Sequence, residues 1–311
     1  MKPDSRGAAD SSKAASPAAL VVAAHGRRGF VVLPDGVRLP YLVRGRQLKV
    51  CCGDRVTWEA SAPGEPIVVS GIAPRQNELS RQPARGTTAE TVAANVSHVI
   101  IVLAALPQPD LYVTDRYLCA ARLMGARAAL AWNKADTAPL PATELTVYTA
   151  LGYPVFAVSA VTGAGLAGIL AWIGKGTGIL VGQSGVGKSS LMNRLVPGAN
   201  AITGEISAAS DQGRHTTTAS VLHALPGDGG LIDTPGVRDF VPALPPQREI
   251  ARGFIEIAEA GRQCRFTDCS HLRESHCAVQ EAVAGGRIDP RRFESYRRLM
   301  NLGSQAAARN K

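Results

Sequence analysis

Gly182-Gln183-Ser184-Gly185-Val186-Gly187-Lys188-Ser189 follows the apolar run Ile179 to Val181 and is continued by Ser190 and Leu191. The spacing is G-x-x-x-x-G-K-[ST], set between a strand and a helix that starts near Lys188. Glycines let successive backbone N–H groups close around an anion, and a helix start adds its positive end. In such a loop Lys188 reaches the outer phosphate oxygens and Ser189 binds magnesium.

Outward from this loop the chain alternates between strand and helix. Val99 to Leu106 reads as a buried strand, Asp110 to Met124 as a helix, Ala128 to Trp132 as a strand, Thr143 to Leu151 as a helix and Val155 to Val158 as a strand. Downstream, Leu231 and Ile232 end a further strand. This alternation predicts an α/β domain whose parallel sheet carries ligands at the carboxyl ends of its strands. Three motifs fall at such ends. Asn133-Lys134-Ala135-Asp136 resembles the N-K-x-D motif of GTPases, in which the aspartate accepts from two guanine nitrogens that adenine does not offer. Ser159-Ala160 follows the next strand, where the second guanine-contacting motif of that family lies. Asp233-Thr-Pro-Gly236 places an acid where it holds magnesium through water and a glycine N–H where it meets the γ-phosphate.

Between the phosphate loop and Asp233 lies Gly213-Arg-His215-Thr216-Thr217-Thr218. Its place is that of a first switch, with Thr217 the candidate for magnesium and the terminal phosphate. In ordinary GTPases the phosphate loop comes first and the guanine motifs last. Here Asn133 and Ser159 precede Gly182, so the order predicts a circular permutation, which a compact sheet tolerates when the cuts fall in loops.

Cys264, Cys269, His271 and Cys277 fall within fourteen residues. Three thiolates and an imidazole form a closed set suited to one structural, tetrahedral zinc per chain, with His276 a rival ligand. Cys51, Cys52 and Cys119 have no such pattern and read as structural. The clustering favours a reducing cytoplasm over a disulfide framework.

The 311 residues carry a net charge of +9, placed at the ends: +5 over residues 1 to 90, −1 over 91 to 284 and +5 over 285 to 311. A neutral catalytic module between basic ends points to a polyanionic partner. The longest fully apolar stretch, Val99 to Leu106, is far short of the roughly 20 residues of a membrane span. Residues 1–22, rich in Ala and Ser, read as a disordered tail, residues 23–83 as a small barrel of short strands, and Glu78 to Val92 as a polar linker. Residues 84–242 hold the nucleotide motifs. Helices follow over 243–311, one of them capped by Asp289 with Pro290 at its first position.

Taken in this order, the motifs from Asn133 to Cys277 resemble those of the RsgA (YjeQ) family, the ribosome small subunit-dependent, circularly permuted GTPases. The resemblance runs from about Gly29 to the last helix. It implies an OB-fold, a permuted P-loop GTPase domain and a C-terminal helical zinc-binding domain. It also implies binding to the small ribosomal subunit and its rRNA late in maturation, in the cytoplasm, with hydrolysis of GTP to GDP and phosphate stimulated by the subunit. Off the ribosome a monomer is expected. The water-orienting glutamine of Ras-like enzymes is replaced by Val237, so His215 or the ribosomal partner must supply that group. The rival expectation is an RNA-binding assembly factor that uses GTP only as an ordering ligand.

Overall fold

The computed structural model describes residues 18–45, 47–81, 89–198, 220–234, 242–243 and 245–309. Five strands form an antiparallel-rich barrel: β1 (Ala19–His25), β2 (Arg28–Val32), β3 (Arg38–Val43), β4 (Arg55–Glu59) and β5 (Ile67–Ile72). Their order is β1-β2-β3-β5-β4, with β3 and β5 parallel, and β1 pairs with β4 to close the ring as in an OB-fold. Alternation builds it. Ala19, Val21, Val31, Tyr41, Val43, Val56 and Val69 point inward as one cluster.

Two sequence expectations change here. The tail was expected to run to residue 22, yet β1 starts at Ala19 with the burial alternation of a half-buried strand. Ala19 and Ala23 are small enough to look like low-complexity sequence, but with Val21 between them the burial repeats every two residues, which is a strand's period. The polar linker is in part a hairpin, β6 (Glu78–Arg81) paired with β7 (Glu90–Ala94). Leu79, Val92 and Ala93 join the cluster that holds Ile101 and Leu130, so a barrel boundary at 83 falls inside this hairpin.

The second unit is the parallel sheet of β8 (His98–Leu103), β9 (Arg127–Trp132), β10 (Val155–Ala157), β11 (Thr177–Val181) and β13 (Gly230–Asp233), with β12 (Ser220–Ala224) antiparallel beside β13. Its order is β10-β9-β8-β11-β13-β12. Helices α1 (Leu111–Leu123), α2 (Ala142–Ala150), α3 (Leu166–Ile173) and α4 (Lys188–Leu195) connect the strands. Joining the end of β13 to the start of β8, and cutting before β11, restores the order phosphate loop, Asp-x-x-Gly, Asn-Lys-x-Asp, Ser-Ala. The permutation therefore leaves the sheet intact.

β12 also pairs with β1, Ala23 opposite Val221, so barrel and parallel sheet form one continuous sheet of eleven strands. Beyond Pro242 come a 3-10 helix (Gln247–Gly253), α5 (Ile255–Gly261), α6 (Ala278–Ala284) and α7 (Pro290–Arg309). Asp289 caps α7 by accepting from the Arg292 N–H at 3.0 Å. Cys119 of α1 shares the buried cluster of these helices with Ile250, Phe254 and Tyr296. Among the described residues no helix is long and apolar enough to cross a membrane.

Candidate functional site

At the carboxyl end of β11 the chain turns through Gly182, Gly185 and Gly187, which have φ of 134°, 79° and 92°. The turn is closed by side chains from neighbouring strands. Asn133, buried just past the end of β9, donates from Nδ2 to the Val186 carbonyl (2.9 Å) and accepts at Oδ1 from the Ala160 N–H (3.2 Å). A Cβ on Gly187 would lie 2.3 Å from that Nδ2, so only glycine lets the asparagine approach. Lys134 Nζ donates to the carbonyls of Leu106 and Gly185, each at 2.8 Å. The Ala135 N–H reaches the Val158 carbonyl at 3.1 Å.

One asparagine and one lysine thus lock three loops from three strands into one edge, and Asp136 stands exposed beside them. Ser159 is buried, its hydroxyl accepting from the Thr162 N–H at 3.1 Å. Lys188 donates to the carbonyls of Gly182 (2.7 Å) and Gln183, which hold its ammonium at the loop. Ser189 and Lys188 line one recess with Asp233 and Thr234, while Ser184 and Ser190 are exposed. The structure therefore brings together Asn133 to Asp136, Ser159, Ala160, Gly182 to Ser190 and Asp233. His215, Thr217, Gly236 and Val237 lie outside the described residues.

Sequence reading missed a further tie. Gln183 Oε1 accepts from the Asp110 N–H at 3.0 Å, joining the phosphate loop to the residue that caps α1. No spacing rule links residues 73 positions apart.

The C-terminal cluster is equally explicit. The ligand atoms of Cys264, Cys269, His271 and Cys277 all lie within 4.8 Å of one another. Cys264 Sγ and Cys277 Sγ are each 3.5 Å from His271 Nδ1; the sulfurs of Cys264 and Cys277 are 3.8 Å apart, those of Cys269 and Cys277 3.7 Å. A tetrahedral zinc with metal–sulfur about 2.3 Å and metal–nitrogen about 2.0 Å has edges of about 3.8 and 3.5 Å, so the donor set fits that ion. Burial, and then the adjacent thiols of Cys277 and Cys264, push the Cys269 thiol up to about 12. As thiolates, three sulfurs so close would need a cation among them. Burial also lowers His271, which keeps its ring neutral for ligation. His276 is exposed and stands outside the cluster.

Glu274, also missed, shapes the loop that carries His271. Its carboxylate accepts from the Ser270 N–H and hydroxyl at 2.8 and 2.6 Å and from the N–H groups of Leu272 and Arg273, both at 3.1 Å. Cys51, Cys52 and Cys119 are buried free thiols, each pushed up by burial.

Comparison with known proteins agrees with this geometry. The family model of the RsgA GTPase matches residues 72–241. A relative from Azotobacter vinelandii, named small ribosomal subunit biogenesis GTPase RsgA, is 44% identical over 254 residues, 80% of this chain and 73% of its own. One of the same name from Pseudomonas aeruginosa (strain LESB58) is 39% identical over 285 residues, covering 90% and 84%. The crystal structure of YjeQ from Thermotoga maritima, 27% identical, has a TM-score of 0.72 over 92% of this chain and 98% of its own. That of YloQ, a circularly permuted GTPase, has a TM-score of 0.71 at 22% identity over 96% and 98%, a likeness of fold.

Proposed function

The chain belongs to the RsgA GTPase family, and from that premise we propose that it is a GTP hydrolase of small ribosomal subunit biogenesis. The observation that carries this reading is the pair of hydrogen bonds at Asn133, donated by Nδ2 to the Val186 carbonyl of the phosphate loop and accepted at Oδ1 from the Ala160 N–H of the second guanine motif. It supports base recognition and phosphate binding on one edge of the sheet. Family membership favours hydrolysis over the alternative of GTP as an ordering ligand alone.

In the proposed mechanism the base is selected by Asp136, with Asn133, Lys134, Ala135, Ser159 and Ala160 shaping its slot. Gly182 to Gly187 present backbone N–H groups to the phosphates, and Lys188 turns from the loop carbonyls to the outer phosphate oxygens. Magnesium, when bound, neutralises phosphate charge; Ser189 and Thr217 would hold it, with Asp233 through water. Gly236 would contact the γ-phosphate. His215 or a group from the subunit orients the attacking water, because positioning and charge stabilisation are most of what phosphoryl transfer needs. One structural zinc per chain holds the C-terminal helices through Cys264, Cys269, His271 and Cys277. The barrel and the exposed arginines of α7, Arg297 and Arg298, meet rRNA, and the protein works as a cytoplasmic monomer off the ribosome. We further propose the domain limits 23–83, 84–242 and 243–311, with the first two adjusted for β1 and the hairpin.

Multiple-turnover GTP hydrolysis, with and without small subunits, tests the reading. Wild type should be stimulated by subunits, and Lys188→Ala should lose hydrolysis in both conditions. Equal rates for the two proteins would overturn it.

A further inference from the structure

Helix α1 is gripped along its flank by the C-terminal helices. Asp115, fully buried, accepts at one oxygen from Arg292 Nη1 (2.7 Å) and Tyr148 Oη (2.8 Å), and at the other from Arg291 Nη1 (2.7 Å). Arg292 is itself fully buried and spends its remaining fork on Glu256 of α5, Nε at 2.7 Å and Nη2 at 3.0 Å. Two guanidinium groups and two carboxylates balance, and each polar atom named has a partner. Such a network specifies one arrangement sharply, because any displacement strands a buried charge. Arg122 Nε adds a bond to the Arg252 carbonyl at 2.9 Å, and a Cβ on Gly253 would sit 2.2 Å from Cys119 Sγ, so the 3-10 helix backbone lies directly on α1.

The same helix begins at the phosphate loop. Asp110 caps it, and the Asp110 N–H is held by Gln183 Oε1. From Asp110 to Asp115 is five residues, about 7.5 Å of helix. A hydrogen-bonded helix is stiff over that length, so a shift of the flank is carried to its cap.

We infer that Arg292, in the C-terminal domain, is a positioning residue for the nucleotide, acting through Asp115, α1 and the Asp110–Gln183 bond on the phosphate loop. The C-terminal helices thereby become part of the GTPase site without touching its ligand. By reciprocity, nucleotide at the loop favours the clamped arrangement of those helices. The inference rests on the proposed reading that guanine nucleotide binds at this loop.

The test is a double-mutant cycle on the full metal-loaded chain, with affinity for a fluorescent non-hydrolysable GTP analogue and the number of binding sites both measured. Arg292→Lys keeps the charge and loses the fork that spans both carboxylates; Gln183→Leu removes the acceptor at the far end of the relay. Arg292→Lys should weaken binding about three- to tenfold in the wild-type background and leave it unchanged in the Gln183→Leu background. A purely structural role for Arg292 would reduce the number of sites and leave their affinity alone, which overturns the inference. So does an equal fold-loss in both backgrounds. If Arg292→Lys shows no cooperative thermal transition, Arg291→Met, at the half-exposed end of the clamp, takes its place in the same cycle with a loss of about two- to threefold. A wild-type chain that binds no guanine nucleotide overturns the reading of the site and this inference with it; a binding wild type with an additive cycle overturns the inference alone.

Discussion

The phosphate loop and the Cys₃His cluster are both short loops dense in chemically active residues, and they are held in opposite ways. Around the loop, β8, β9, β10 and β11 are paired in a parallel sheet, and Asn133 and Lys134 tie its turns together through backbone carbonyls and an N–H. Its shape is a by-product of the sheet. The cluster sits between α5 and α6, each only seven residues long, and three of its four ligands lie on the loop joining them, with Cys277 at the N-cap position of α6. Helices that short are marginal by themselves. The first site should therefore survive loss of its ligand, whereas the second should depend on its ligand for shape.

The sharpest way to break that contrast is Cys269→Ser. Structural zinc contributes about 10–16 kcal/mol of apparent binding free energy in small zinc domains, so a damaged set should release metal and unfold α5 and α6. Elemental analysis and circular dichroism check this, and wild type should carry about one zinc per chain. A metal-free wild type, with helical signal unchanged in the variant, would put the cluster in the same class as the loop.

Lys188→Ala should act on chemistry with little effect on fold. Loss of one preorganised donor at a phosphoryl-transfer site costs about 10²–10³ in kcat. The melting temperature of the ligand-free protein should hold, and a large drop would show that the loop is less independent of Lys188 than its backbone suggests.

Gly187→Ala probes the strut itself. The added Cβ meets Asn133 Nδ2 at 2.3 Å with φ at +92°, and left-handed strain alone costs about 1–3 kcal/mol. Guanine-nucleotide affinity should fall at least tenfold or so by titration. By contrast Gly261→Ala, whose Cβ would lie 3.1 Å from His271 Nε2, should shift metal affinity only slightly.

Asp136→Asn sharpens the division within the first site. Guanine preference over adenine should fall by roughly 10–100-fold, the value of about 1–3 kcal/mol for a mispaired polar group. Competition by inorganic phosphate analogues should be untouched, and equal losses for both would detach Asp136 from base recognition.

The smallest effect belongs to Glu274→Gln, about tenfold in metal affinity, the low end for residues that orient ligands from behind. Burial pushes the Glu274 carboxyl up, but the bonds from Ser270 and its neighbours outweigh it and bring it from 4.5 down to about 2. Because the folded value is depressed, its support is present above pH 4.5 and is lost as pH falls toward 2. A wild-type metal-release curve identical to the variant's across that window would remove Glu274 from the cluster's scaffold.

The chemistry of both sites was legible in the linear order of residues because it depends on local spacing. A phosphate loop needs its glycines and lysine within eight positions, and a closed metal site needs donors a few residues apart. The permutation was legible for the same reason, since motif order is itself linear. The strand β1 was obscured because two of its three buried positions, Ala19 and Ala23, are alanines, and the hairpin strands Glu78–Arg81 and Glu90–Ala94 because polar residues occupy their exposed positions.

How the parts are joined is set by contacts between residues far apart in the chain. Nothing in the spacing of β1 and β12 says that Ala23 pairs with Val221 and makes the barrel an extension of the nucleotide-binding sheet. Nor does spacing say that the arginines of α7, which read as a basic surface, turn inward at Arg291 and Arg292 to meet Asp115 across 176 and 177 residues. A local motif is specified by neighbours in the chain. A clamp between distant helices exists only where the fold removes water from both charges at once, so burial decides it.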